Sequence, residues 1–230
     1  MHLLNDKTYR WRPPEPSAAQ RQVSRASARS VFVEFVYGPP PGVRIVCESQ
    51  LEYRCVLCAA YRPDTADIEE QLGPIPYRRP NGRNGHHYLD FRVTLTSGRR
   101  IGMAVKSRKA ISERKFAEFT AELRAVSAAA VPTVIDELCL VTEHNINPLD
   151  LHNAQIFHAA RMADPADDEH LAECVARMSG AQPITQLCRS AGLERGGLAA
   201  AARAIRAGRL EMCRRERLAE TTLVRKGGVA

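Results

Sequence analysis

The stretch from His87 to Lys109 constrains the fold more than any other part of the chain. In its first half, apolar and polar side chains alternate with a period near two, which predicts a strand with one buried face. Ser97-Gly98 then gives a turn signal, and Ile101 to Val105 is a second apolar run of strand length. The pattern predicts a hairpin with Asp90 near the start of one strand and Lys106 at the end of its neighbour.

A carboxylate and an ammonium on adjacent strands can serve phosphodiester cleavage. Asp90 would hold a divalent cation, and Lys106 would face a phosphate oxygen. The alternative is a surface ion pair, because exposed pairs of Asp and Lys are common in proteins. Spacing alone leaves both interpretations open.

Four short motifs extend this pattern over about 60 residues. They are E-S-x-x-E from Glu48, D-I-E-E-Q from Asp67, L-D-F-R-V from Leu89, and V-K at Val105-Lys106. With these motifs in this order and spacing, the chain resembles the TnsA family of transposon endonucleases. The resemblance implies a nuclease domain with the restriction-endonuclease (PD-(D/E)xK) fold.

The resemblance also implies a Mg²⁺ site, or a Mn²⁺ site, and its ligands. Glu52 and Asp90 would hold the metal together with the backbone carbonyl of Val105. Lys106 would stabilise the attacking water or the phosphate charge. Because Glu52 falls on a helix predicted from Glu48 to Tyr61, a solvated helix glutamate is the alternative for that residue.

One position departs from the family's motif. The family has Glu or Gln two residues before the lysine, but this chain has Ala104, which offers no ligand. Mg²⁺ wants six oxygens in strict geometry, so three outcomes are open. Extra waters complete a working site, Glu118 on the following helix supplies the missing ligand, or the nuclease is weak or inactive.

The composition is that of a soluble globular protein, with 44% apolar and 26% charged residues. Residues 1–30 lack the apolar core of a signal peptide, and no apolar run approaches the roughly 18 residues of a membrane span. We therefore expect a cytoplasmic protein without a membrane partner. The net charge of +7 favours a polyanionic partner, although an Arg-rich codon bias would give the same balance.

Composition and periodicity divide the chain into three parts. Residues 1–30 are rich in Pro and basic residues, which predicts a disordered basic arm. Residues 31–142 form the endonuclease-like domain, and residues 143–230 form a junction helix and a second domain. The expected class is α/β, a restriction-endonuclease-like mixed sheet flanked by helices, followed by a small, mostly helical winged helix-turn-helix domain.

The second domain is predicted as two helices, a turn at Gly192, a third helix and a β-wing. The third helix is rich in Ala and poor in the Asn, Gln and Ser side chains that read bases. We therefore expect phosphate contacts or protein docking from this domain in preference to sequence readout. The candidate DNA-binding residues of the whole chain are Arg108, Lys109, Arg203, Arg206, Arg214 and Arg215.

Cysteine and histidine pairs are the remaining candidates for metal chemistry. Cys55 and Cys58 are the only pair at zinc-ligand spacing, and they would share one helix face, so core packing is expected. His86 and His87 are expected on a loop, in a structural or solvated role.

The family resemblance, taken with these patterns, predicts a metal-dependent endonuclease subunit of a heteromeric transposase, which would nick one strand at transposon ends. The resemblance implies double-stranded DNA as the substrate, with a DDE-type transposase and an ATPase regulator as partners. One alternative is a stand-alone restriction-type nuclease. Another is a catalytically weak or silent nuclease-fold subunit that binds DNA and assembles the transposition complex.

Overall fold

Strands and helices alternate along the chain. The computed structural model describes residues 12–21, 32–111, 113–193 and 196–228. The strands are β1 (Val33–Tyr37), β2 (Val43–Cys47), β3 (Thr65–Arg78), β4 (Asn84–Leu95), β5 (Arg100–Val105), β6 (Glu137–Val141), β7 (Ala181–Pro183), β8 (Leu210–Met212) and β9 (Leu223–Lys226). The α-helices are α1 (Gln50–Ala60), α2 (Glu113–Ala130), α3 (Pro148–Ala159), α4 (Pro165–Ala176), α5 (Ile184–Ser190) and α6 (Gly197–Arg206).

The central sheet has four strands in the order β3-β4-β5-β6. β4 is antiparallel to both β3 and β5, whereas β6 is parallel to β5. The parallel pairing is possible because the connection through α2 returns the chain to the end of the sheet at which β5 begins. The turn between β4 and β5 has Gly98 at φ +83°, a left-handed conformation that glycine adopts without steric penalty. The predicted hairpin is therefore confirmed, and its strands are β4 and β5.

Helices cover both faces of this sheet. Phe91 and Val93 pack in one apolar cluster with α1 and the β1–β2 hairpin. Arg92, which lies between them, donates to the carbonyl oxygen of Val134 just beyond α2. Because alternate residues of a strand point to opposite faces, α2 covers the face opposite α1. The expected α/β class, a mixed sheet flanked by helices, is confirmed.

Helix α1 begins with a side-chain cap. The hydroxyl of Ser49 accepts a hydrogen bond from the backbone N–H of Glu52 at 3.1 Å, which satisfies one of the free donors of the first turn. On the buried side of the helix, Cys55 lies in the core with its Sγ 3.7 Å from Met103 Sδ. The seven cysteines are free thiols, and Cys58 is only partly buried.

The β3–β4 ladder is longer than the sequence patterns predicted. β3 is one strand of 14 residues, and its pairing continues to Arg78 opposite Asn84. The prediction that His86 and His87 lie on a loop is therefore wrong, since both are inside β4. Backbone pairing with β3 overrides the Gly- and Asn-rich composition of that segment.

The C-terminal part has its own apolar core. Its three-stranded antiparallel sheet has the order β7-β9-β8 and packs with α4, α5 and α6 around Leu171, Leu187 and Leu210. Asn153 lies inside α3, whose N-cap residue is Asn147. The Asn153 side chain accepts from Leu218 N–H at 2.7 Å, so it ties α3 to the loop before β9.

Helix α3 also packs against both α1 and α6, and the predicted boundary after residue 142 stays a prediction. In the described ranges no helix has the length and apolar character needed to cross a membrane.

Candidate active site

Asp90 lies at a junction of three strands. Its carboxylate Oδ2 accepts a hydrogen bond from the backbone N–H of Val105 at 2.6 Å, which links β4 to the end of β5. The pKa of Asp90 is raised to about 7, mainly by burial and also by the nearby charges of Glu52 and Glu48. The Val105 hydrogen bond and the positive charge of Arg21 act in the opposite direction. A cation placed here would favour the ionised carboxylate.

Glu52 is buried beside this site, with 7% of its surface exposed. One carboxylate oxygen accepts from the backbone N–H of Glu48 at 2.7 Å, and the other accepts from the Ser49 hydroxyl at 2.9 Å. Burial raises the pKa of Glu52, whereas these two hydrogen bonds lower it. In this conformation Glu52 therefore caps its own helix, and each oxygen keeps a lone pair for a further partner.

Residues 12–21 of the predicted basic arm lie along the edge of this site. Glu15 forms a parallel bridge with Val43, with backbone hydrogen bonds of 2.8 Å to Gly42 and 2.9 Å to Arg44. Farther along, Gln20 Oε1 accepts from the N–H of Gly73 at 2.9 Å. Through these contacts, residues 12–21 extend from β2 to β3. The remainder of the arm, 1–11 and 22–30, lies outside the described residues.

Arg21 inserts its side chain among the acidic residues. Its Nε donates to Gln71 Oε1 at 2.9 Å, and its Nη2 donates to Glu48 Oε1 at 2.7 Å. The guanidinium also lies 5.8 Å from the centre of the Tyr88 ring, in a cation–π arrangement. A positive group thus occupies the position at which Glu48 and Gln71 converge beside Asp90.

Two buried polar side chains of β3, Glu70 and Gln71, also lie at this site. The Glu70 carboxylate is 2% exposed and accepts hydrogen bonds from the Ser17 hydroxyl and the Val46 N–H. Gln71 is 1% exposed, and its backbone φ of +47° lies in the left-handed region, which strains a non-glycine residue by roughly 1 kcal/mol. The bond from Val46 to Glu70 links β2 to β3 beside the site.

Lys106 follows β5 directly. Its backbone N–H donates to the carbonyl oxygen of Val141 at 2.9 Å, which fixes the start of its side chain at the parallel edge of the sheet. The ammonium is exposed, and with the described residues it forms neither a hydrogen bond nor an ion pair. The surface ion pair between Lys106 and Asp90 that the spacing allowed is therefore not formed. Ala104, two residues earlier, is buried.

Glu118, the other candidate ligand, is exposed on α2. It has no hydrogen bond or ion pair to any residue that the structure describes. One turn later, the carboxylate of Glu122 accepts a hydrogen bond from the Tyr77 hydroxyl, so this part of α2 lies against the far end of β3. The role of Glu118 as a migrated ligand stays a prediction.

The donor set suits a hard cation, although the ligands are not gathered in this conformation. Within the described ranges no three His, Cys, Asp or Glu side chains are grouped as a metal site requires. The partly buried carboxylate of Asp90, the buried carboxylate of Glu52 and the amide oxygen of Gln71 are nevertheless the kinds of oxygen donor that Mg²⁺ and Mn²⁺ prefer. The guanidinium of Arg21 already occupies a cation position beside them.

The six candidate DNA-binding residues differ in how free their side chains are. Arg203 donates to both oxygens of Asp168, at 2.7 and 3.0 Å, and also contacts two backbone carbonyls. Arg206 stacks over Tyr61 and donates to its carbonyl oxygen at 3.0 Å. Arg203 and Arg206 thus hold the fold together. Exposed side chains remain at Arg108, Lys109 and Arg214, while exposed Arg215 pairs with Asp150 at 2.7 Å.

Helix α6 presents little surface to a partner. Ala200, Ala201, Ala202 and Ala204 are all buried, and Arg206 is the only residue of this helix that is exposed. A helix that reads bases in the major groove needs an exposed polar face. This helix therefore fits phosphate contact at its end better than base readout along its length.

Sequence patterns missed the residues of this site that come from outside the hairpin and α1. Arg21 belongs to a segment predicted to be disordered, and the sequence singles out Gln71 only as the last residue of the D-I-E-E-Q motif. The one available signal was the acidic cluster itself, because buried carboxylates require a nearby cation or donor.

No family model matches the chain, and no curated protein matches it.

Proposed function

We propose that the chain is a Mg²⁺-dependent DNA endonuclease subunit of a heteromeric transposase. The observation that carries the proposal is the environment of Asp90. Its partly buried carboxylate accepts a hydrogen bond from the N–H of Val105, and Val105 precedes the exposed Lys106 in the chain. A carboxylate with a strongly raised pKa is typical of a functional site. The transposon-end substrate, the DDE-type transposase and the ATPase rest on the family resemblance.

The fold supports the same proposal. Three antiparallel strands followed by a helix and a parallel fourth strand is the arrangement expected of a restriction-endonuclease-like core. The C-terminal order of α4, β7, α5, α6, β8 and β9 is compatible with the winged helix-turn-helix expectation. We propose both fold assignments on this basis.

The proposed chemistry assigns one task to each residue. Asp90 and Glu52 hold the cation with the carbonyl oxygen of Val105, and the Val105 N–H keeps the Asp90 carboxylate oriented. Lys106 places a positive charge where the phosphate gains negative charge during attack by water. The bound metal ion supplies Lewis-acid polarisation of the phosphate and activation of water.

A supercoiled plasmid tests the proposal directly. Purified protein should convert it to the nicked form with MgCl₂ or MnCl₂ and should be inactive with EDTA, because the metal carries the electrophilic step. Nicking that persists in EDTA would rule out the metal-dependent mechanism. If neither ion supports nicking of plasmids that carry transposon ends, with the partner proteins present, the proposed endonuclease activity is rejected.

A silent assembly subunit is the second candidate, and three observations favour it. Ala104 offers no ligand, Glu52 is engaged in capping α1, and Arg21 occupies the cation position. In that case the fold would bind DNA through exposed Arg108, Lys109 and the basic C-terminal segment without cutting it. The plasmid assay separates the two candidates.

Glu118→Ala tests whether the missing ligand has moved to α2. Because Glu118 is exposed and makes no described contact, we expect unchanged cleavage, within about twofold, and an unchanged melting temperature. Ala104→Glu is the companion variant, which should lower the Mg²⁺ concentration required for half-maximal nicking by adding an oxygen ligand. Loss of cleavage in a folded Glu118→Ala protein would place the ligand on α2.

A further inference from the structure

Gln71 is a buried polar side chain that the catalytic set above does not use. The structure has two buried side-chain nitrogens without a hydrogen-bond partner among the described residues, His87 Nε2 and Gln71 Nε2. Only Gln71 lies at the acidic site, where its Oε1 contacts Arg21. A buried amide nitrogen without an acceptor is destabilising, and native proteins retain few of them without a functional reason.

The backbone at Gln71 is unfavourable as well. Its φ of +47° is the only positive φ at a non-glycine residue in the described part of the chain. Such conformations persist where the surrounding structure holds a side chain in a required position, and they cluster at functional sites. Two unfavourable features at one residue indicate that this amide is held in place for more than stability.

The strand register aligns Gln71 with the metal carboxylate. Glu70 pairs with Phe91 and Leu72 pairs with Leu89, so Gln71 lies opposite Asp90. On the other side of β4, Phe91 pairs with Met103, which brings position 104 next to Asp90. Gln71 and Ala104 therefore flank Asp90 from the two neighbouring strands.

We propose that Gln71 supplies from β3 the side-chain oxygen that Ala104 cannot supply from β5, and so is a further ligand of the divalent-cation site. This inference rests on the proposed function and names one more residue of that site. Gln71 Oε1 already faces a cation, because Arg21 Nε donates to it at 2.9 Å while Nη2 contacts Glu48. An amide oxygen is a common ligand of hard divalent cations, which would displace the guanidinium from this position.

Calorimetric titration of the DNA-free protein with MnCl₂ tests the proposal without an activity assay. Gln71→Asn withdraws the amide by one methylene but keeps a residue that tolerates left-handed backbone, and it should weaken Mn²⁺ binding about tenfold. Gln71→Glu replaces the amide with a carboxylate and should tighten binding about tenfold. It should also lower the melting temperature in EDTA and raise it when Mn²⁺ is added. Gln182→Asn, the same change on β7, is the matched control and should bind Mn²⁺ as the wild type does.

The outcomes distinguish this proposal from the one on which it rests. If Asp90→Asn abolishes Mn²⁺ binding while both Gln71 variants bind like the wild type, Gln71 is structural and the further inference is wrong. If the wild type binds no Mn²⁺, both proposals fall. If neither Gln71 variant folds, a Mg²⁺ titration followed by NMR decides the matter on the wild-type chain. Shifted Gln71 side-chain amide resonances support ligation, and unshifted ones overturn it.

Discussion

Asp90→Asn is expected to abolish DNA cleavage and, in metal-free protein, to raise the free energy of unfolding at neutral pH. Cleavage is lost because an amide is a weaker metal ligand than a carboxylate. Stability rises because Asn keeps an oxygen that accepts the Val105 hydrogen bond and removes a buried charge. A loss of catalysis combined with a gain in stability is typical of a residue retained for function.

The direction in which the free energy of unfolding changes with pH follows from the raised pKa of Asp90. The folded-state pKa of Asp90 is about 7, whereas the unfolded value is near 3.8. Below pH 4 both states are protonated, so the substitution changes little. As the pH rises from 4 to 7 the unfolded state ionises first, so the wild type loses stability by on the order of 4 kcal/mol, and the variant does not. Urea unfolding in EDTA from pH 5 to pH 8 measures the growing difference.

Asp136→Asn is the control, because we expect it to change the stability at neutral pH in the opposite direction. Hydrogen bonds from Arg100 lower the pKa of Asp136, so its carboxylate stabilises the fold above pH 4. Replacing it should destabilise the protein at neutral pH and have little effect in acid. A stability difference for Asp90→Asn that is independent of pH would show that Asp90 is ionised throughout this range in the folded protein.

Lys106→Ala is expected to reduce cleavage at least about a hundredfold while leaving stability nearly unchanged. The ammonium is exposed and has no described partner, so the fold loses no ion pair or buried contact. DNA affinity, measured by fluorescence anisotropy with Ca²⁺ in place of Mg²⁺, should change little, because one phosphate contact among many contributes modestly.

Lys115→Ala is the matched control, since Lys115 is an exposed lysine on nearby α2 with no assigned role. Its cleavage rate should equal that of the wild type. Near-wild-type cleavage by Lys106→Ala would remove Lys106 from the proposed catalytic set, and equal losses in both variants would indicate a general effect of positive charge on DNA binding.

Local patterns in the sequence determined the parts of the site that are built from neighbouring residues. The period of two, the turn at Gly98 and the apolar run after it were sufficient to place Asp90 on one strand and Lys106 at the end of its neighbour. The helix predicted from Glu48 to Tyr61 likewise corresponds to α1, which runs from Gln50 to Ala60. These features depend on backbone periodicity and on hydrogen bonds within a few residues, which sequence alone specifies.

Side-chain partners were decided by packing between distant segments. Nothing in the composition of residues 1–30 indicates that Arg21 reaches Glu48 and Gln71, which lie 27 and 50 positions farther along the chain. In the same way Arg203, a plausible DNA contact by charge, is held by Asp168. A charged side chain pairs with whichever opposite charge the fold brings near, and that choice appears only in three dimensions.

The hydrogen bonding of the candidate metal-binding carboxylates is also a property of the tertiary structure. The motif predicted Glu52 as a metal ligand, but two local hydrogen bonds direct its oxygens to the start of α1. Ala104 removes a ligand in the sequence, while the β3–β4 register, with Glu70 opposite Phe91 and Leu72 opposite Leu89, brings Gln71 opposite Asp90. Residue type determined which groups can bind a cation. Which of these groups lie near Asp90 was decided by the packing of β2, β3 and the N-terminal segment, because burial and strand register are set by long-range contacts.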